Sequence, residues 1–367
     1  MNEKAILTLS LVPGVGNQRL RALLDHFNDP IDAFSASIPE LHSIPSIDAR
    51  TAREIFHHTP DLNSIDTLLG KLQRLGGKII SMKDTEYPSY LKQIYDPPAF
   101  LYMLGNLAET DHDAIAVVGT RNPTQYGKII TERLCSGLIQ SGFTIVSGLA
   151  RGIDTVAHAT AVQNSGRTVA VIGCGVDIVY PPDNINIHQQ IRQNGAILSE
   201  YHIGTKPEAG NFPKRNRIIS GMTLGTVVIE SNLKGGAMIT ASYALDQNRE
   251  IFAVPGPILQ EQSSGTNRLI QQGRAKLIQS VEDIIEEVVL KLKYITPANV
   301  EHTAPQPPPD LNMFETRIFD VLSTQPMYID EIASGAELST SDTLVHLLSL
   351  EFKGIVKQLA GKMFSRR

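Results

Sequence analysis

With 367 residues, 42% of them apolar and 19% charged, and a net charge of −5, the chain reads as a soluble globular protein of about two or three domains that is not coated in basic surface. No apolar run approaches the roughly 20 residues of a membrane span, and the first apolar stretch is broken by Gly14 and Gly16 and carries no small-residue cleavage site, so no secretory signal is expected. Cys135 and Cys174 stand without CxxC spacing or clustered His, which disfavours a disulfide framework and a metal site and fits a reducing cytoplasm.

Residues 1–75 read as a helical domain. Apolar positions recur at helical spacing on both sides of Pro13-Gly14-Val15-Gly16. That turn resembles a helix-hairpin-helix, in which glycines permit a tight bend whose amides can face a phosphate. A structural turn in a small domain is the plainer reading. SIDARTAREIF and NSIDTLLGKLQRLG predict further short helices. Residues 76–113 are transitional and rich in Pro and Tyr. The pattern then changes to short apolar runs, most of them ending in Gly or Ser: AIAVVG (114–119), FTIVSG (143–148), RTVAVIG (167–173), AILSEY (196–201), GTVVIES (225–231) and EIFAVPG (250–256). Helical stretches separate them. This alternation predicts an α/β domain over 76–294, a doubly wound, Rossmann-like parallel sheet covered on both faces. Its last helix is expected to start at Ser280, with Asp283 completing a capping-box-like pattern. Residues 295–312 hold five prolines and read as an extended linker. Residues 313–367 give three helices and two short strands, a winged-helix layout.

In open α/β sheets, ligands bind outside the carboxyl ends of the strands, at the switch point. The first of the six runs ends in Gly119-Thr120-Arg121, offering backbone amides, a hydroxyl and a fixed cation for a phosphate. The second leads into Gly148-Leu149-Ala150-Arg151. The segment Asn211-Phe212-Pro213-Lys214-Arg215-Asn216-Arg217 sets cations beside an aromatic ring, and Lys234-Gly235-Gly236 follows the fifth run. Arg and Lys beside a stacking aromatic is the composition of a sequence-tolerant groove for single-stranded nucleic acid. Nucleotide enzymology finds no support: GxxxxGK[ST] is absent, and the nearest dinucleotide fingerprint, Gly173-Cys174-Gly175-Val176-Asp177-Ile178, has Ile where a third Gly or Ala belongs. Ser147, Asp154 and His158 suggest a hydrolytic constellation, but Asp154 near a helix start is more simply a dipole partner or cap. Neither a catalytic residue nor a cofactor is expected.

Together, VVGTRNPTQYG, IVSGLARGIDTVAH, FPKRNRIISGM, KGGAMITASYALDQNREIFAVPG and SSGTNRLIQQGRA resemble the successive blocks of the DprA/Smf family (DNA-processing protein A) over roughly residues 80–290. The terminal regions agree with the family layout of a helix-hairpin-helix/SAM-like N-terminal domain and a C-terminal winged helix. The resemblance implies binding and protection of incoming single-stranded DNA in natural transformation and loading of RecA recombinase, including onto DNA covered by single-strand-binding protein. It implies no nucleotide hydrolysis, and a homodimer formed through the α/β domain. Carried over to this chain, Gly119, Thr120 and Arg121 match the Gly-Ser/Thr-Arg phosphate loop, Lys214, Arg215 and Arg217 the basic FPxRNR block, and Lys234 and Gly235 the Gly-rich loop. One departure is visible: where the family often has a basic residue after Tyr-Pro, this chain has Pro182 and Asp183. A competing class is the nucleotide-processing hydrolases of the lysine-decarboxylase-like Rossmann group. Their PGGxGTxxE motif is answered here only by Lys234-Gly235-Gly236-Ala237-Met238-Ile239-Thr240, without the Gly-Thr pair or the glutamate.

Overall fold

A computed structural model describes residues 3–59, 61–295, 311–323, 326–359 and 363–366, which fall into two compact units, Met1–Leu292 and Lys293–Arg367. No described helix is long and apolar enough to cross a membrane.

The N-terminal region forms helices Glu3–Ser10, Asn17–His26, Ile38–Ser43, Ala49–His57 and Leu62–Arg74. Asp48 and Asp61 cap the last two by accepting from the Thr51 and Ser64 amides, the role such residues take before a first turn. The Pro13–Gly16 bend uses Gly14 at φ +84°, a conformation open to glycine. Its Val15 and Gly16 amides are spent on Val12 and Gly14 carbonyls, so the bend acts as a structural turn.

The sheet has nine strands: β1 Gly77–Ser81, β2 Phe100–Gly105, β3 Ala114–Val118, β4 Thr144–Ser147, β5 Thr168–Val171, β6 Gly195–Ser199, β7 Gly225–Val228, β8 Glu250–Ala253 and β9 Lys276–Leu277, in the order β1-β2-β6-β5-β4-β3-β7-β8-β9. From β6 across to β9 all pairings are parallel, and each of the six expected runs supplies one of these strands. Residues on alternate sides of the strands enter two cores. Ile115, Val117 and Ile145 pack with Leu134, Leu138 and Ala157 on one face. Ala116, Val118 and Val146 pack with Ile218, Ile219 and Ala241 on the other. This two-sided burial is why the strands read as continuous apolar runs. Ser280 precedes the last helix, Glu282–Ile295, and Asp283 accepts from its amide at 2.9 Å.

Two features differ from the sequence expectation. The transitional segment contains β1 and β2, an antiparallel pair laid antiparallel on β6. AFLYMLG has the same apolar form as the later strands, but the Pro- and Tyr-rich interval before it dominates the local composition. Nor does residue 75 mark a break in packing. Leu7, Leu23 and Leu72 share one core with Ile79, Tyr102 and Ile197, so the helices and the sheet fold as one unit.

The second unit holds helices Met313–Val321, Ile329–Ala336 and Thr340–Phe352 with β10 Met327–Tyr328, β11 Val356–Leu359 and β12 Met363–Arg366, a winged helix around Ile318, Ile332, Leu347 and Phe364. Buried Glu315 accepts from Lys353 and Ser349, both at 2.6 Å, and from the Asn312 amide. Most of the expected linker, residues 296–310, lies outside the described residues, as do Lys362 and Arg367.

Candidate nucleic-acid interface

Beginning at β3 the chain steps outward through β4, β5 and β6, then returns to lay β7, β8 and β9 on the other side. The crevice between the carboxyl ends of β3 and β7 is therefore the switch point. A cleft of about 570 Å³ lies there, lined among others by Gly119, Thr120, Arg121, Asp154, Tyr180 and Phe212, with Arg215, Asn216, Ser231 and Gly235.

Its walls are loops that only small residues allow. A Cβ on Gly119 would stand 2.5 Å from Ile153. Gly152, at φ +83°, presses so close that a Cβ would meet the Thr120 carbonyl at 2.3 Å, and Ile153 donates its amide to that carbonyl. Glu230, buried after β7, accepts from the amide and hydroxyl of Thr124 while its own carbonyl takes the Thr120 amide at 2.7 Å. These bonds hold the 119–124 loop in shape. The helix Gly236–Asp246 opens on the cleft without a side-chain cap, leaving first-turn amides and the positive end of its dipole toward the cavity.

At the mouth stands Arg121, exposed, with no ion-pair partner among the described residues. Its guanidinium lies 5.8 Å from the centre of the Phe212 ring, and Phe212 in turn lies 5.5 Å from Tyr180, the planes tilted by 36°. Phe212 is held against Gly173, where a Cβ would come within 3.0 Å of the ring. One cation and two partly exposed rings thus share one edge of the cleft.

Arg215 takes the floor. It is 3% exposed and donates to the carbonyls of Gly148 and Val171. Asp154, also buried, accepts from the Gly148 and Ala150 amides at 3.1 and 3.3 Å. Burial pushes its carboxyl up to about 6 against the pull of Arg215, and burial draws Arg215 down to about 10. Ser147, Asp154 and His158 do come together, Ser147 lying against both of the others, but they are not joined as a hydrolytic relay. Ser147 donates to the Val117 carbonyl at 2.6 Å, and His158 bonds Thr168 through Nδ1 and is held down at about 3, chiefly by burial. Among the described residues no cluster of metal ligands occurs.

The residues expected to form the groove are thus divided. Gly119, Thr120, Arg121, Phe212 and Gly235 line the cleft together. Arg215 lies beneath it as a buried strut rather than a surface cation. Arg217 turns to the opposite flank of its helix, where Glu200 at 2.7 Å and Asp96 at 3.3 Å neutralise it, and exposed Lys214 shares that flank. Arg151 is exposed but paired with Asp183 at 2.7 Å. Lys234 is exposed beside the glycine turn. Sequence reasoning did not single out Tyr180 or Glu230 as site residues. Their contacts join positions 32 and 106 residues apart (180 to 212, 124 to 230), beyond any local pattern.

Comparison with known proteins places this geometry in context. The profile of the DNA recombination-mediator protein A family matches residues 78–289, and that of the DprA winged helix domain matches residues 302–362. Protein Smf of Synechocystis is 34% identical over 98% of this chain and 98% of its own length. The crystal structure of DNA processing protein A from Streptococcus pneumoniae superposes with a TM-score of 0.70 at 34% identity, over 78% of this chain and 98% of that one. DNA processing protein A from Helicobacter pylori, solved for its single-stranded DNA binding mode, gives 0.53 at 32% identity, over 58% and 97%.

Proposed function

This chain belongs to the DNA recombination-mediator protein A family, and on that premise we propose that it binds single-stranded DNA along the cleft between the ends of β3 and β7, shields it, and passes it to RecA recombinase in natural transformation. The observation that carries the reading is the edge formed by Arg121, Phe212 and Tyr180. A cation beside two partly exposed rings offers one phosphate contact and a platform for bases, the sequence-tolerant combination that single strands need. The uncapped first turn of Gly236–Asp246 adds amides and dipole for a second phosphate.

On this reading the protein works in the cytoplasm, without a cofactor, and is not an enzyme. On the cleft floor Asp154 accepts from the Gly148 and Ala150 amides and Arg215 donates to the Gly148 and Val171 carbonyls, bonds that suit a structural floor. It acts as a homodimer through the α/β unit, with RecA as partner and single-strand-binding protein as the coat it works against.

The test is the affinity of the full chain for labelled oligothymidine at several salt concentrations. Affinity should fall with salt at a log–log slope of about −0.7 per neutralised phosphate. Phe212→Ala should weaken binding without changing that slope, because stacking releases no counterions. Absence of oligothymidine binding at low salt sinks the proposal.

A further inference from the structure

The winged-helix unit carries a surface that the proposed strand-binding cleft does not use. The helix Thr340–Phe352 holds the place of the recognition helix in this layout. It turns Thr343, Leu347 and Leu350 into the unit's core. With successive residues about 100° apart around the axis, Leu344, Val345, Leu348 and Phe352 fall on a second arc, away from that buried face. They are 40%, 64%, 40% and 92% exposed. A helix with one apolar face needs no more to hold this fold; a second, solvent-facing stripe marks an interaction surface.

Charge decides what the stripe fits. The helix contains no Lys or Arg, and the first cation after it, Lys353, is held 2.6 Å from the buried Glu315 carboxylate. Glu351 borders one edge of the stripe, and exposed Asp342 stands beyond the other. A nucleic acid laid on this helix meets carboxylates and no cation of the helix itself, the exposed Lys357 standing on β11, whereas groove insertion relies on cations carried by the inserted helix and facing phosphates. A second copy of the chain would oppose its own carboxylates to these. An apolar stripe flanked by lysine or arginine satisfies both the leucines and the acidic rim. We propose that the exposed face of Thr340–Phe352 is a docking site for a protein partner that presents an amphipathic helix with a basic flank, and that this recognition helix does not read DNA.

The full chain is titrated against a labelled amphipathic peptide of leucine and lysine, with a leucine–glutamate peptide of identical leucine stripe and a duplex oligonucleotide for comparison. The lysine peptide should bind at least roughly tenfold more tightly than the glutamate peptide. The double variant Val345→Ser/Leu348→Ser should weaken it by at least roughly tenfold, as loss of central anchors does. Both positions face solvent, so the variant should melt with the parent and keep its oligothymidine affinity, which separates this inference from the cleft. Equal binding of the two peptides, or no effect of the double variant, overturns the proposal. So does duplex binding lost in the variant, which would make the face a DNA reader, or a smaller sedimenting species, which would make it a contact between copies.

Discussion

Replacing Arg121 by alanine isolates the one exposed cation that lines the switch-point cleft without a carboxylate partner among the described residues. Its contact with the Phe212 ring at 5.8 Å is an exposed cation–π pair of about 0.5–1 kcal/mol, so the folded state should lose no more than that. Bound phosphate is a different matter. One charge-assisted hydrogen bond to a charged group contributes about 1.5–3 kcal/mol, so Arg121→Ala should weaken oligothymidine binding by roughly 10- to 150-fold and flatten the salt slope by about 0.7. The loss should be the same for oligomers of different base sequence, because a phosphate contact positions a strand without reading it. Fluorescence anisotropy across a salt series reads affinity and slope together, and a urea titration confirms that stability is kept. If the folded variant retains both the parent's affinity and its slope, the strand does not run past Arg121 and the proposed interface is misplaced.

Arg215→Met should behave quite differently, since it removes the buried donor to the Gly148 and Val171 carbonyls and the nearby cation that favours the Asp154 carboxylate. Leaving buried polar groups unsatisfied costs about 1–3 kcal/mol each, readable as a lower urea midpoint, and a change below about 1 kcal/mol would refute the strut role. Asp183→Asn frees Arg151 from an exposed ion pair of at most about 1 kcal/mol. Oligothymidine affinity should therefore rise by up to roughly fivefold, with a steeper salt slope; an unchanged slope places Arg151 off the strand's path. In the winged helix, Lys353 and Ser349 hold the Glu315 carboxyl at about 2, below its ordinary 4.5. A lowered folded value means that this stabilisation is complete above about 4.5 and is lost as pH falls toward 2. Thermal melts across that window should show the unit weakening, and Glu315→Gln should flatten the dependence. Truncation after residue 295 should leave oligothymidine affinity within roughly tenfold of the parent; a larger loss would give the winged helix a direct part in strand binding.

The amino-acid sequence by itself determined the alternation of short apolar runs and helices, and with it the parallel sheet, because two-sided burial demands continuous apolar strands. It also pointed to Gly119-Thr120-Arg121 and Phe212 at strand and helix ends. Tertiary structure alone decided that β1 and β2 join β6, since edge pairing is a choice of partner that no local pattern encodes. It alone merged the N-terminal helices with the sheet, through a core shared by Leu23, Leu72 and Tyr102. The cations of the 211–217 segment show the division most clearly. In sequence, Lys214, Arg215 and Arg217 are alike; on the helix, rotation of about 100° per residue turns Arg215 away from the flank that Lys214 and Arg217 share. Which direction is solvent, core or ion pair was set by groups remote in the chain: the Gly148 and Val171 carbonyls for Arg215, the Asp96 and Glu200 carboxylates for Arg217. A side chain's charge is written in its own residue, but whether that charge is free to meet a ligand depends on the partners that folding brings to it.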